Sequence, residues 1–228
     1  MKTYKQYRAE GLAALKGNWS NALVATILVI IIYCAFYIPY IWFSLNVNEE
    51  VAYADPVSFL KTFLIVIGVL AVGCFLFIYP LYVGYYKTFR DLNAENDGEI
   101  LRNTFKETFN SWGRNIWGMF LMYLFIFLWS LLFIIPGLIK TFSYALTPYI
   151  LKDYPELSAN QAINLSRKMM KGHKLDYFCL CLTFIGWIIL TVFTLGIGLI
   201  WLMPYMSSTS AAFYLDVKAE YEAKQTLS

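Results

Sequence analysis

Residues 177–215, YFCLCLTFIGWIILTVFTLGIGLIWLMPYMSSTSAAFYL, run between Asp176 and Asp216 without a single charged side chain. As one straight helix these 39 residues would extend about 58 Å at about 1.5 Å each, nearly two thicknesses of a ~30 Å hydrocarbon layer. The stretch must fold back on itself, and Gly196-Ile197-Gly198 is the turn. Three more charge-free runs lie between Lys16 and Glu49, Lys61 and Lys87, and Arg114 and Lys140. Each exceeds the roughly 20 residues a helix needs to cross a bilayer. The last continues as apolar sequence to Leu151, so Pro136-Gly137 is read as a second hairpin break. The reading is an all-α polytopic membrane protein with six transmembrane helices, near 20–45, 60–86, 115–135, 138–152, 177–195 and 199–217.

Composition agrees. Of 228 residues 59% are hydrophobic and 14% charged, with a mean hydropathy of +0.55; soluble domains carry roughly 25% charge. The net charge of +3 is too small to suggest nucleic acid as a partner. What matters is placement, because lysine and arginine concentrate on the cytoplasmic side of membrane proteins. Sixteen of the 18 lysines and arginines fall in the N-terminal segment, the connections 87–114 and 152–176, and the C-terminal tail. Lys61 alone lies on the other face, beside Glu49, Glu50 and Asp55, so both termini are expected to be cytoplasmic. Ala52-Tyr53-Ala54 resembles a secretory cleavage site, but the apolar stretch before it far exceeds the 7–15 residues of a signal core. Cys34, Cys74, Cys179 and Cys181 all fall in spans and read as small apolar packing residues.

A short amphipathic segment precedes each pair of spans. The first sets Tyr4, Tyr7, Gly11 and Ala14 on one face and stops at Gly17. The second sets Leu101, Phe105, Thr108 and Trp112 on one face and stops at Gly113. The third does so with Ala159, Ala162, Ile163, Ser166 and Met170 and stops at Gly172. Thr3 with Gln6, and Ser158 with Gln161, have the spacing of reciprocal helix caps. The chain thus divides into units 1–92, 97–153 and 156–217, with a short tail at 218–228. Gly137-Leu138-Ile139 also matches Gly198-Leu199-Ile200, 61 residues on, as weak internal repeats do in transporters.

Polar residues inside spans are the candidate chemistry. Lys140 is the one ionisable residue there. It is either a lysine snorkelling to the outer interface or the cation at the mouth of a polar groove with Tyr144 and Thr147. The 61-residue offset adds Trp201, Tyr205 and Ser208 to that groove from the last helix. The second helix of each hairpin carries a proline (Pro80, Pro148, Pro204), and Ser207 to Ser210 form a hydroxyl run that either lines a cavity or packs against neighbours. Arg167, Lys168, Lys171, His173 and Lys174 form a basic cluster suited to anionic inner-leaflet phospholipid. His173 has no ligand partner at zinc spacing. No nucleophile elbow, phosphate-binding loop or metalloprotease helix occurs, so no enzymatic activity, cofactor or metal is expected.

The stretch Pro155-Glu156-Leu157-Ser158-Ala159-Asn160-Gln161-Ala162-Ile163, with Ser166 to His173, Ile135-Pro136-Gly137, Thr147-Pro148-Tyr149, Phe184-Ile185-Gly186-Trp187 and Leu195 to Gly198, resembles a bacterial membrane family catalogued as domain of unknown function 975. It is more weakly similar to the membrane domain fused to some glycerophosphodiester phosphodiesterases. The resemblance implies six helices in a bacterial cell membrane, and no catalytic residues. The resulting expectation is an accessory or scaffold protein that contacts anionic lipid, or another membrane protein, through its amphipathic helices. The alternative is a transporter or binding protein for an amphipathic lipid or lipid-linked molecule.

Overall fold

The computed structural model describes residues 1–46 and 55–226; Glu49, Glu50 and Ala52-Tyr53-Ala54 lie outside the described residues. The described chain is helical, with no strand among the described residues. In order, α1 is Tyr4–Leu15, α2 Trp19–Asn46 and α3 Pro56–Gly73, which passes through a π-helical turn, Cys74–Ile78, into α4, Tyr79–Glu95. Then follow α5 Ile100–Phe109, α6 Trp112–Leu132, α7 Ile134–Tyr144, α8 Thr147–Asp153, α9 Ala159–Met169, α10 Lys174–Leu182, α11 Ile185–Phe193 and α12 Leu199–Thr226.

Among the described residues, five helical stretches are long and apolar enough to cross a membrane: Trp19–Asn46, Pro56–Glu95, Trp112–Leu132, Ile134–Asp153 and Lys174–Phe193. The sixth expected span, α12, has 28 residues but is diluted by its hydroxyl run and by Asp216, so length and hydropathy do not establish that it crosses. α12 is also the most enclosed of the long helices, burying Leu202, Tyr205, Ser207 to Thr209, Ala211 to Tyr214 and Val217. By contrast, the outer parts of α2, α3, α6 and α11 expose row after row of Ile, Leu, Val and Phe. An apolar exterior around a part-polar interior suits a protein whose solvent is hydrocarbon.

The sequence signals for helix ends are met at both capping boxes. Thr3 N–H donates to Gln6 Oε1 at 2.7 Å and Ser158 N–H to Gln161 Oε1 at 2.8 Å, and each hydroxyl accepts from the third helical N–H. Gly17 and Gly172 take left-handed φ of 86° and 95°, where a side chain would be strained. Two boundaries differ from expectation. α5 ends at Phe109, and the left-handed residue is Ser111, φ 58°, with Gly113 already inside α6. Asn115 Nδ2 caps the free carbonyls of Glu107 and Asn110 instead. The hairpin between α6 and α7 breaks at Phe133, φ −159°, rather than at Pro136-Gly137. Pro136 sits in the first turn of α7, where its missing N–H has no partner to lose. Gly137 lets α7 fold closely onto α6: a Cβ there would fall 2.1 Å from Ser130 Oγ.

Pro80 explains another contact. Its missing N–H frees the carbonyl of Leu76 four residues back, and Trp112 Nε1 donates to it at 3.1 Å. α5 also presents a different face from the apolar one expected: it buries Asn103, Thr104, Glu107 and Thr108. Gly84 makes this possible, since a Cβ there would lie 2.4 Å from Thr104 O and 2.3 Å from Thr108 Oγ1. α9 buries Ala159, Ala162, Ile163 and Ser166 as expected. The four described cysteines are free.

Candidate functional site

The structure distributes the six candidate groove residues over separate settings. Lys140 Nζ lies 4.3 Å from the ring centroid of Trp129 on α6 and 5.9 Å from that of Tyr144, so Lys140 and Tyr144 are together. Tyr144 is buried in a cluster with Val83, Met119 and Ile163. Thr147 is buried, and its hydroxyl has no hydrogen-bond partner among the described residues. Ser208 donates to Gly11 O at 3.0 Å and accepts from Asn93 Nδ2 at 2.9 Å, which gives it a packing role. Trp201 and Tyr205 line a cavity with α1, described below. In the basic cluster, Arg167, Lys168 and Lys171 are exposed and Lys174 half-buried. His173 is within 3.8 Å of Asp176 and 3.5 Å of Glu220. A polar hollow of about 590 Å³ opens beside this cluster, lined by Asn164, Arg167, Lys168 and Tyr221.

Residues that mark the ends of spans in the sequence form a buried ion-pair network. Asp153, 1% exposed at its side chain, lies 2.8 Å from Arg90 Nε and 2.6 Å from Lys218 Nζ. It also accepts from the Tyr214 hydroxyl at 2.7 Å. Arg90 reaches Asp91 at 3.1 Å and Glu95 at 2.6 Å. Asp91 is paired in turn with Lys152, which lies 3.3 Å from Glu107. Lys87, 1% exposed, donates to Asn115 Oδ1 at 3.0 Å. The network ties α4, α5, α6, α8 and α12 together. Buried charges persist when each is paired and hydrogen-bonded, and here every cation has a carboxylate or amide oxygen. Arg114 does similar work by donating to carbonyls at the end of α8 and in the connection that follows, among them Tyr154 O and Leu157 O at 3.3 Å. The helical spacing of Lys87, Arg90 and Asp91 carries the signal for this network in the sequence, but two of their partners, Lys152 and Asp153, lie more than 60 residues away.

A different arrangement surrounds Arg8. α1 lies along α12 because Gly11 permits it: a Cβ there would fall 2.8 Å from Thr209 N. Tyr7 fastens the same pair by donating to Asp216 at 2.5 Å. Burial and the Asp216 carboxylate both push the Tyr7 phenol upward, so it stays a donor. This docking leaves a cavity of about 360 Å³ between α1, the start of α2, α11 and α12. Its walls are Leu12, Trp19, Trp187, Leu190, Trp201 and Leu202, with Thr191, Thr194 and Gly198 at the hairpin turn. Leu195 and Gly196 form that turn at φ 51° and 87°, and Gly198 N–H donates to Thr194 Oγ1 at 3.1 Å. Trp187 and Trp201 are half exposed, as are their neighbours Ile188, Leu190 and Ile197. The mouth therefore opens sideways onto the apolar exterior. Arg8 is the cavity's one charged wall residue. Its Nε donates to the Tyr205 hydroxyl at 2.9 Å, and its guanidinium carbon lies 5.3 Å from the Phe184 centroid and 5.7 Å from that of Tyr205. Among the described residues no carboxylate pairs with it. In the sequence Arg8 is one more cation of the N-terminal segment, and nothing local to it announces Tyr205, 197 residues away.

A family model described as "Protein of unknown function (DUF975)" matches residues 106–221. No curated protein and no solved structure matches the chain, so the weaker likeness to phosphodiesterase membrane domains is without support.

Proposed function

Because the chain belongs to the family described as protein of unknown function (DUF975), a description that carries no activity, we propose a reading from geometry alone: an integral membrane protein that binds an amphipathic lipid in the cavity beside Arg8, without chemistry of its own. The observation that carries it is the cavity: about 360 Å³, within the range of small-molecule sites, lined mainly by apolar and aromatic side chains with a single charged residue and open toward the apolar exterior. In this reading the termini are cytoplasmic, α12 is the sixth span, and the exposed cations of α9 rest on anionic lipid of the bacterial inner leaflet. An accessory role exerted through amphipathic helices is less favoured, because the apolar faces of α1 and α9 are buried within the chain.

Native mass spectrometry of gently extracted protein tests the proposal. One lipid per chain is expected on the wild type, and Leu12→Trp, which fills the cavity from an exposed wall position, should lose it. A wild type that carries no stoichiometric lipid, or a Leu12→Trp variant that keeps it, overturns the reading. A co-purifying protein in place of lipid would favour the accessory role.

A further inference from the structure

We infer that the cavity selects its lipid by head group: the terminal guanidinium nitrogens of Arg8 are the seat of an anionic phosphodiester. This rests on the lipid-binding reading and adds the ligand's charge class and its orientation. Arg8 is held by two residues, Tyr205, whose hydroxyl accepts from Nε and whose ring centroid lies 5.7 Å from the guanidinium carbon, and Phe184, whose ring lies at 5.3 Å. These fix the plane of the fork and leave Nη1 and Nη2 without a hydrogen-bond partner among the described residues. Arginine so placed meets two phosphate oxygens at once, a geometry lysine cannot copy. No carboxylate is among the residues that line the cavity, and Asp216 Oδ2 accepts from the Tyr7 hydroxyl and the Lys2 backbone N–H rather than from Arg8. A head group with one phosphodiester and no ammonium therefore neutralises the site. A zwitterionic head group would bring a second positive charge into a cavity whose walls carry no carboxylate. Orientation follows from the walls. With phosphate at Arg8 and Tyr205, an acyl chain runs along Leu202, Trp201 and Trp187 toward the open mouth.

The test is a native mass-spectrometric titration of the full-length protein with phosphatidylglycerol, phosphatidylcholine and diacylglycerol of identical chains. The wild type should retain one phosphatidylglycerol with about tenfold preference over either competitor, the size of one charge-assisted fork contact. Arg8→Gln should abolish that preference while still retaining one lipid, and Arg8→Lys should restore part of it. Equal retention of all three lipids by the wild type overturns the head-group proposal without any variant, and leaves the cavity reading standing. An Arg8→Gln protein that keeps the full preference does the same. Failure of the wild type to hold any of the three defeats both.

Discussion

Arg90 and Arg8 sit in one small protein and do opposite things. Arg90 lies within 2.6–3.1 Å of three carboxylates, those of Asp91, Glu95 and Asp153, in a region where Lys87, Lys152 and Lys218 are also paired. Arg8 lies against the rings of Phe184 and Tyr205, gives one N–H to the hydroxyl of that same tyrosine, and meets no carboxylate among the described residues. A cation whose charge is met inside the chain holds helices together. One whose position is fixed but whose charge is unmet is, under the proposed function, the one that meets a ligand. The residue type is the same in both places, and the partners supplied by distant helices set the two apart.

The largest effect should come from breaking the paired region. Asp153→Asn leaves Arg90 and Lys218 facing each other without their shared carboxylate. Removal of one partner from a buried pair costs about 3–5 kcal/mol. The thermal midpoint of the detergent-solubilised protein should fall steeply, while any molecules that remain folded keep their lipid. A change of less than about 1 kcal/mol would show that Asp153 is not needed for the network's integrity.

A smaller loss of stability, with a larger effect on binding, is expected where α1 meets α12. Gly11→Leu forces a side chain into the space held by Thr209, and overpacking of this kind costs about 1–3 kcal/mol. Because α1 forms one wall of the cavity, bound lipid should be lost at temperatures where the helices remain folded by circular dichroism. Retention of lipid by this variant would separate the cavity from the docking of α1.

The smallest effect sharpens the contrast by using a carboxylate outside both regions. Asp97 accepts from the Glu99 N–H at 3.0 Å and Asn103 Nδ2 at 2.6 Å, and these bonds hold its carboxyl below the usual range. A depressed folded-state value means its contribution is complete at neutral pH. That contribution starts to fade as the pH nears the ordinary carboxylate value of 3.8, and is gone below the depressed value. Asp97→Asn should slightly lower the midpoint at pH 7 and leave it unchanged in strong acid. Equal effects at both pH values would mean that the charge contributes nothing there.

Much of this fold is legible in the sequence because bilayer thickness and helical rise leave little choice. The run 177–215 had to be a hairpin, and it turns at Leu195-Gly196. The capping pairs Thr3–Gln6 and Ser158–Gln161 form because their rule is local. Errors arise where tertiary contacts outweigh local pattern. α5 turns its Asn103–Thr104–Glu107 face inward because Gly84 lets it approach and because Lys87 and Lys152 need Glu107. The site was less legible still. Lys140 drew attention as the one cation in a charge-free run, yet the structure gives it Trp129 and Tyr144. Arg8, on an unremarkable amphipathic segment, is the cation brought beside a cavity. Trp201 and Tyr205 stand out in the sequence by alignment with Lys140 and Tyr144, whereas in the structure it is the α1 contact that makes them walls of a cavity.

The most direct test of lipid binding beside Arg8 is photocrosslinking in membranes with a phosphatidylglycerol that carries a diazirine near the end of one acyl chain. Adducts are then mapped to peptides by mass spectrometry. The account predicts an excess of adducts on Trp187 and Trp201, saturating at one lipid per chain and absent from Leu12→Trp. Adducts spread over the exposed apolar faces of α2, α3 and α6 in proportion to their area, with no excess at α11 and α12, would contradict it.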